Sequence, residues 1–150
     1  MTTVFDVPAK ELIDEVAKKL QGDDNIKTPE ENMFTRTGIH KENPPLDPNW
    51  WYVRCAAIMR KIYIKNQIGI EHLRAEYGGS RDKGSKPYKA VKGSGTVVRR
   101  AVQQLEKAGY VGKIRGKGRV LTGKGRAFMD SASNEIMKKL ESTYPELKKY

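Results

Sequence analysis

Residues 47–65 limit the possible folds more than any other segment, because they form a predicted helix that is apolar on almost every side. Asp47-Pro48 is a favourable start, since Asp caps helix N-termini and Pro is tolerated in the first turn. Among the basic residues that follow, Arg54, Lys61 and Lys65 align on one stripe. A helix of this kind needs neighbours on several sides, so we expect it to be the central core helix.

Four further segments have helical periodicity or helix boundary signals. The predicted helices cover residues 8–22, 70–77, 94–109 and 122–144, with Gly22 and Gly109 as stops and Ser94 and Thr122 near helix starts. Between the last two helices, two β-prone runs within residues 110–122 are separated by Gly116-Lys117-Gly118, which predicts a hairpin. No internal repeat is evident.

Two segments lack a periodic apolar pattern. Residues 22–48 contain four prolines and few apolar residues, so we expect a long irregular connection. Residues 78–93 are rich in Gly, Ser and Lys, and are predicted to be a loop with no core to join.

The order of elements, four helices followed by a hairpin and a helix, is typical of a winged helix. The expected fold class is therefore mainly α, with a small β-hairpin wing and extra terminal helices, in a single domain over residues 1–150. One feature departs from that fold: the turn between the third and fourth helices has about sixteen residues, five of them basic. Such a turn would obstruct docking in a DNA major groove, but it can lie along a folded RNA.

Positive charge is concentrated in one part of the chain. Residues 78–126 hold 14 of the 29 Lys and Arg residues but only two acids, which gives them a net charge of +12 in a chain whose total is +11. A basic surface of this density favours a polyanionic partner, because neutralising phosphates releases condensed counterions.

Other classes of function receive little support. Cys55 is the only cysteine, and neither a signal peptide nor a membrane-length apolar run is evident, so we expect a cytosolic protein. Gly79 and Gly84-Ser85-Lys86 resemble a phosphate-binding loop, but the order of Ser and Lys is reversed. His40 and His72 are isolated, so we expect no enzyme activity, metal or cofactor.

The candidate binding residues lie on the fourth helix and the wing. The polar face of the helix holds Thr96, Arg99, Arg100, Gln103 and Lys107, and the wing holds Lys113, Arg115, Lys117 and Arg119. The wing charges can also serve to prevent edge-to-edge aggregation, and Gly112 obscures which strand face points outward.

The central helix contributes two further candidates. Arg54 and Arg60 are about 120° apart around the helix, so they do not share a contact stripe, and one of them can be structural. Trp50, Trp51 and Tyr52 can stack on bases, but we expect at least one tryptophan to pack in the core.

Several motifs together resemble a known family. They are WWYVRCAA at residues 50–57, RKIYI at 60–64, YGG at 77–79, GS at 93–94, VVRRAVQQLE at 97–106 and GRVLTGKG at 118–125. This set resembles the signature of the eukaryotic and archaeal small-subunit ribosomal protein nineteen family and covers nearly the whole chain, with an archaeal member expected. Residues 80–92 match that family poorly.

The resemblance implies a winged-helix protein of the head of the small ribosomal subunit that contacts rRNA and is needed for maturation of that subunit. By position, Arg54, Arg60, Arg99 and Arg100 match basic residues that the family presents to rRNA, whereas the wing residues are proposed on chemistry alone. Expected partners are small-subunit rRNA and other small-subunit ribosomal proteins, with no membrane or small-molecule substrate and a monomer outside the ribosome. The alternatives are a winged-helix DNA-binding transcription regulator and a protein-interaction module.

Overall fold

A computed structural model of the chain describes residues 1–149. The five α-helices in this part of the chain are α1 (Ala9–Gln21), α2 (Trp50–Lys65), α3 (Ile70–Glu76), α4 (Gly95–Lys107) and α5 (Gly123–Thr143). Two antiparallel hairpins are built from β1 (Gly79–Lys83) with β2 (Lys86–Val91) and from β3 (Val111–Ile114) with β4 (Gly118–Leu121). Short 3₁₀ turns occupy Val4–Asp6, Glu30–Asn32 and Pro145–Lys149.

Helix α2 lies at the centre of the fold, as its sequence predicts. It contacts α1, α4, α5 and β4, and Trp51 and Ile58 are among its fully buried side chains. Trp50 is only partly buried, so one of the two tryptophans packs fully in the core. Cys55 is also enclosed, and burial raises the pKa of its thiol to about 12, which makes it a poor nucleophile.

The second half of the chain forms the predicted winged helix. Helices α3 and α4 pack together, and the β3–β4 hairpin forms the wing beside them. Ile68 pairs with Arg119 through two backbone hydrogen bonds of 3.1 and 2.9 Å, which attaches the wing to the segment before α3. Gly118 has a φ of +92° and a Cβ there would lie 2.7 Å from the Ile68 carbonyl oxygen, so glycine is required at this close approach.

The prediction that residues 78–93 form a loop was wrong, because most of this segment forms the β1–β2 hairpin. Its turn follows ordinary chemistry: the Gly84 N–H donates to Asp82 Oδ1 at 2.8 Å, and Gly84 has a φ of +75°. Residues 80–90 are exposed on both faces of the hairpin. Since neither face is buried, no alternation of apolar and polar residues marks the strands.

Residues 22–48 follow an irregular path, as predicted, with one 3₁₀ turn at Glu30–Asn32. The path is nevertheless fixed, because Ile26, Asn32 and Thr37 are buried and the Thr37 carbonyl oxygen accepts a 2.9 Å hydrogen bond from the Ser94 N–H. Within residues 1–149, no helix has the length and apolar character needed to cross a membrane.

Candidate nucleic-acid interface

One face of α4 is exposed and polar because the helix is strongly amphipathic. Its apolar residues enter the core, and Ser94 begins the helix by accepting a 3.4 Å hydrogen bond from the Val97 N–H on its side-chain oxygen. The opposite face presents four of the five predicted residues to solvent: Thr96, Arg99, Gln103 and Lys107. In residues 1–149, neither Arg99 nor Lys107 forms an ion pair.

Arg100 is the fifth predicted residue of this face, and its environment differs. Its guanidinium is paired with Glu31 of the α1–α2 loop, and its side chain is 32% exposed. Arg100, Gln103 and Lys107 still line a common shallow cavity of about 310 Å³. A phosphate near Arg100 would therefore compete with the Glu31 carboxylate.

Gln104 is a structural residue that the sequence analysis did not identify. Its side-chain oxygen accepts a 2.8 Å hydrogen bond from Trp51 Nε1 and a 3.3 Å bond from the Lys27 N–H. Its amide nitrogen donates to the Lys27 carbonyl oxygen at 2.8 Å. Gln104 thus joins α4 to the core helix and to the α1–α2 loop, while its neighbour Gln103 points to solvent.

The wing exposes three of its four predicted cations. Lys113, Arg115 and Lys117 are exposed around the β3–β4 turn. Arg119, opposite Lys113 in the register, turns towards α4, where its Nε lies 2.5 Å from Glu106 Oε1 and its side chain is only 16% exposed. Arg119 therefore helps to hold the wing against α4.

The two arginines of α2, Arg54 and Arg60, are both partly buried but have different surroundings. The Arg54 guanidinium stacks 4.2 Å from the centroid of the Tyr77 ring, and burial lowers the pKa of Arg54 below its ordinary value. Arg60 is partly buried, and its Nε is enclosed without a hydrogen-bond partner in residues 1–149. Neither arginine is paired with an acid within that range, so an internal ion pair does not explain the partial burial of either one.

The β1–β2 hairpin adds cations in a segment whose sequence predicted only a loop. Its register places Arg81 directly opposite Lys89 and Lys83 opposite Lys86, and all four side chains are exposed. Like charges that face each other across two strands destabilise a hairpin. Asp82 is the hairpin's single acid. The arrangement leaves positive charge that an external polyanion can neutralise.

No group of three or more His, Cys, Asp or Glu side chains in the described part of the chain is arranged to hold a metal ion. The exposed cations described above make the candidate site a set of basic surfaces on three elements: the exposed face of α4, the wing and the β1–β2 hairpin.

Comparisons with known proteins give a consistent result. The model of the family described as ribosomal protein S19e matches residues 3–139. The small ribosomal subunit protein eS19 of Aeropyrum pernix is 45% identical, over 100% of this chain and 99% of that protein. The protein of the same name from Thermoplasma acidophilum is 41% identical over equal shares, and protein eS19G of Ascaris suum is 40% identical over 90% of this chain and 92% of its own length.

Proposed function

Because the chain belongs to the ribosomal protein S19e family, we propose that it binds the rRNA of the small ribosomal subunit through α4, the wing and the β1–β2 hairpin. The family consists of structural ribosomal proteins, not enzymes. Membership indicates a role in the small subunit of the cytoplasmic ribosome, with rRNA and other small-subunit proteins as partners. We also propose that rRNA binding supports maturation of the subunit.

The observation that best supports rRNA binding is the presence of two facing pairs of cations in the β1–β2 hairpin. Arg81 with Lys89 and Lys83 with Lys86 form like-charged cross-strand pairs on a ribbon that has no buried face. Bringing a phosphate between two such cations removes their repulsion and releases counterions. The hairpin is therefore expected to become more ordered when it binds RNA.

The three basic surfaces differ in stiffness, which suits a partner made of several converging strands. Helix α4 is packed on the core, the wing is attached through Ile68 and Arg119, and the β1–β2 hairpin projects into solvent. Each surface can bind phosphates of a different rRNA segment. The protein then holds these segments together against their mutual repulsion.

Salt-dependent binding to a small-subunit rRNA fragment tests this proposal. With about six phosphate contacts, log affinity falls with log salt concentration at a slope of roughly −4 to −5. The double variant Arg99→Glu with Lys107→Glu should weaken binding and make the slope less negative by about two, because two phosphate contacts are lost. The control pair Lys10→Glu with Lys138→Glu changes the total charge equally, but at exposed positions of α1 and α5.

Three results would contradict the proposal. The first is a slope near zero, and the second is an equal loss of affinity in the two double variants. The third is displacement of the protein from rRNA by duplex DNA at equal phosphate concentration, which would favour the DNA-binding alternative.

A further inference from the structure

A cavity of about 500 Å³ lies between the α1–α2 loop and the start of α4. Gly38 and Gly93 line it and pair with each other as an isolated antiparallel bridge. Gly93 follows the β1–β2 hairpin and precedes α4, so the cavity is located between two of the proposed rRNA-binding surfaces. An RNA strand that contacts both the hairpin and the start of α4 can therefore pass over it.

Phe34 lines this cavity and contributes almost nothing to the core, since it is 86% exposed. Its neighbour Met33 and the cavity residue Ile39 are also exposed, at 56% and 50%. Two exposed apolar side chains, Phe34 and Ile39, that line one cavity are typical of a binding surface. Because Phe34 is so exposed, its substitution should leave the stability of the fold nearly unchanged.

Three cations, Arg36, Arg74 and Lys92, line the same cavity as Phe34. Arg74 is held by a 3.1 Å bond from its Nε to the Gly93 carbonyl oxygen, and Lys92 lies 2.9 Å from Glu71. Arg36 uses one Nη1 bond of 3.0 Å to the Lys41 carbonyl oxygen, which leaves its other donors for a ligand.

An exposed aromatic ring beside cations is the combination by which proteins bind unpaired nucleotides, since the base stacks on the ring and the cations contact phosphate. We propose that this cavity binds one unpaired nucleotide of small-subunit rRNA, with its base stacked on Phe34 and its phosphate contacted by Arg36 and Lys92. This inference rests on the proposed function and adds to it a site that contacts a base as well as the RNA backbone.

The test compares two labelled RNA probes of equal charge, a hexa-adenylate and an abasic ribose-phosphate hexamer, by fluorescence anisotropy. Stacking of one base on an aromatic side chain changes affinity by about 5- to 150-fold. The wild-type chain should prefer hexa-adenylate by a factor in this range, and Phe34→Ala should lose most of that preference. Phe34→Trp should retain it.

Phe5→Ala is the matched control, because Phe5 is also an exposed phenylalanine, 66% accessible, but lies before α1 and not at the cavity. The proposal fails if Phe34→Ala keeps the wild-type preference, or if Phe5→Ala loses as much. Its failure differs from failure of the proposed function. If only the nucleotide site is wrong, rRNA binding remains sensitive to Arg99→Glu while Phe34→Ala has no effect. If the proposed function is wrong, the wild-type chain does not bind small-subunit rRNA.

A photocrosslinking experiment distinguishes RNA from a protein occupant. A chain with p-benzoylphenylalanine in place of Phe34 is assembled into small subunits and irradiated. Crosslinks to rRNA support the proposal, whereas crosslinks only to another ribosomal protein, or none at all, overturn it.

Discussion

The adjacent residues Gln103 and Gln104 provide a sharp test of which side chains of α4 maintain the fold and which are free to bind RNA. We predict that Gln104→Ala destabilises the protein, whereas Gln103→Ala weakens rRNA binding without a change in stability. The two substitutions remove identical groups from one helix, so helix propensity and chemistry are matched. The difference follows from the position of each side chain.

The expected loss for Gln104→Ala can be estimated from its hydrogen bonds. Trp51 is fully buried, and without Gln104 its indole N–H, which donates at 2.8 Å, has no partner. A buried donor left without a partner costs about 1–3 kcal/mol, and each of the two bonds to Lys27 contributes about 0.5–1 kcal/mol at a site open to water. The predicted decrease in the free energy of unfolding is about 2–5 kcal/mol.

Urea denaturation followed by circular dichroism measures this decrease. With a slope of about 2 kcal/mol per molar urea, the unfolding midpoint should fall by about 1–2.5 M. The Gln104→Glu variant should lie between Gln104→Ala and the wild type, because its carboxylate accepts from Trp51 but cannot donate to the Lys27 carbonyl oxygen. A midpoint for Gln104→Ala within about 0.2 M of the wild type, or an equal shift in Gln103→Ala, would show that the Gln104 hydrogen bonds do not stabilise the fold.

Three other predictions concern packing, pH and the wing. Gly125→Ala should lower the free energy of unfolding by at least about 2 kcal/mol, because the added Cβ meets a backbone carbonyl oxygen at 2.2 Å, whereas Gly123→Ala, with no atom within 4 Å, should not destabilise. Hydrogen bonds from two lysines lower the pKa of Glu76 from 4.5 to about 2. The Glu76→Gln variant should therefore have a free energy of unfolding up to about 1 kcal/mol below that of the wild type at pH 7. This difference should disappear as the pH falls from 5 to 2, because the wild-type carboxylate becomes protonated. Arg119→Met should reduce stability more than rRNA affinity, and Lys117→Met should do the opposite.

Thermal or urea unfolding checks the stability effects, and filter binding to the rRNA fragment checks affinity. Equal unfolding midpoints for the two glycine variants would contradict the packing argument. A Glu76→Gln deficit that persists at pH 2 would show that the carboxylate charge is not its cause. Similar affinity losses in the two wing variants would place Arg119 in the RNA contact instead of the fold.

The helices and the wing were predictable because each has a buried face that imposes a pattern on the sequence. The fourth predicted helix, residues 94–109, corresponds to α4 at Gly95–Lys107, and the predicted hairpin at 110–122 contains β3 and β4. Apolar periodicity marks the buried side of an element, and capping residues mark its ends. The winged-helix order of these elements was predicted for the same reason.

The β1–β2 hairpin was missed because its structure depends on backbone pairing alone. Its only local signal is Asp82-Lys83-Gly84, in which an Asp side chain and a glycine with positive φ form a turn. A turn signal of that kind is common in loops as well. Without a buried face, the strands on each side of it had no apolar alternation to confirm them.

The separate environments within the candidate site depend on contacts between distant parts of the chain. Arg99 and Arg100 are adjacent and similar in sequence, yet one faces solvent and the other is paired with Glu31, 69 residues away. Phe34 lies in a segment without periodicity, so no pattern indicated that its ring borders a cavity. Both the Arg100–Glu31 ion pair and the position of Phe34 depend on the path of the α1–α2 loop, which no local sequence pattern predicts.

The way in which the β1–β2 hairpin joins the fold has a consequence for how this protein can vary. Gly79 pairs with Val91, so the chain leaves the body and returns to it at a single point, and residues 80–90 bury no side chain there. The hairpin is in effect an insertion into the turn of an ordinary helix-turn-helix. Its length and charge can change independently of the core, and a short glycine-containing turn in its place should leave a folded domain with a smaller RNA footprint.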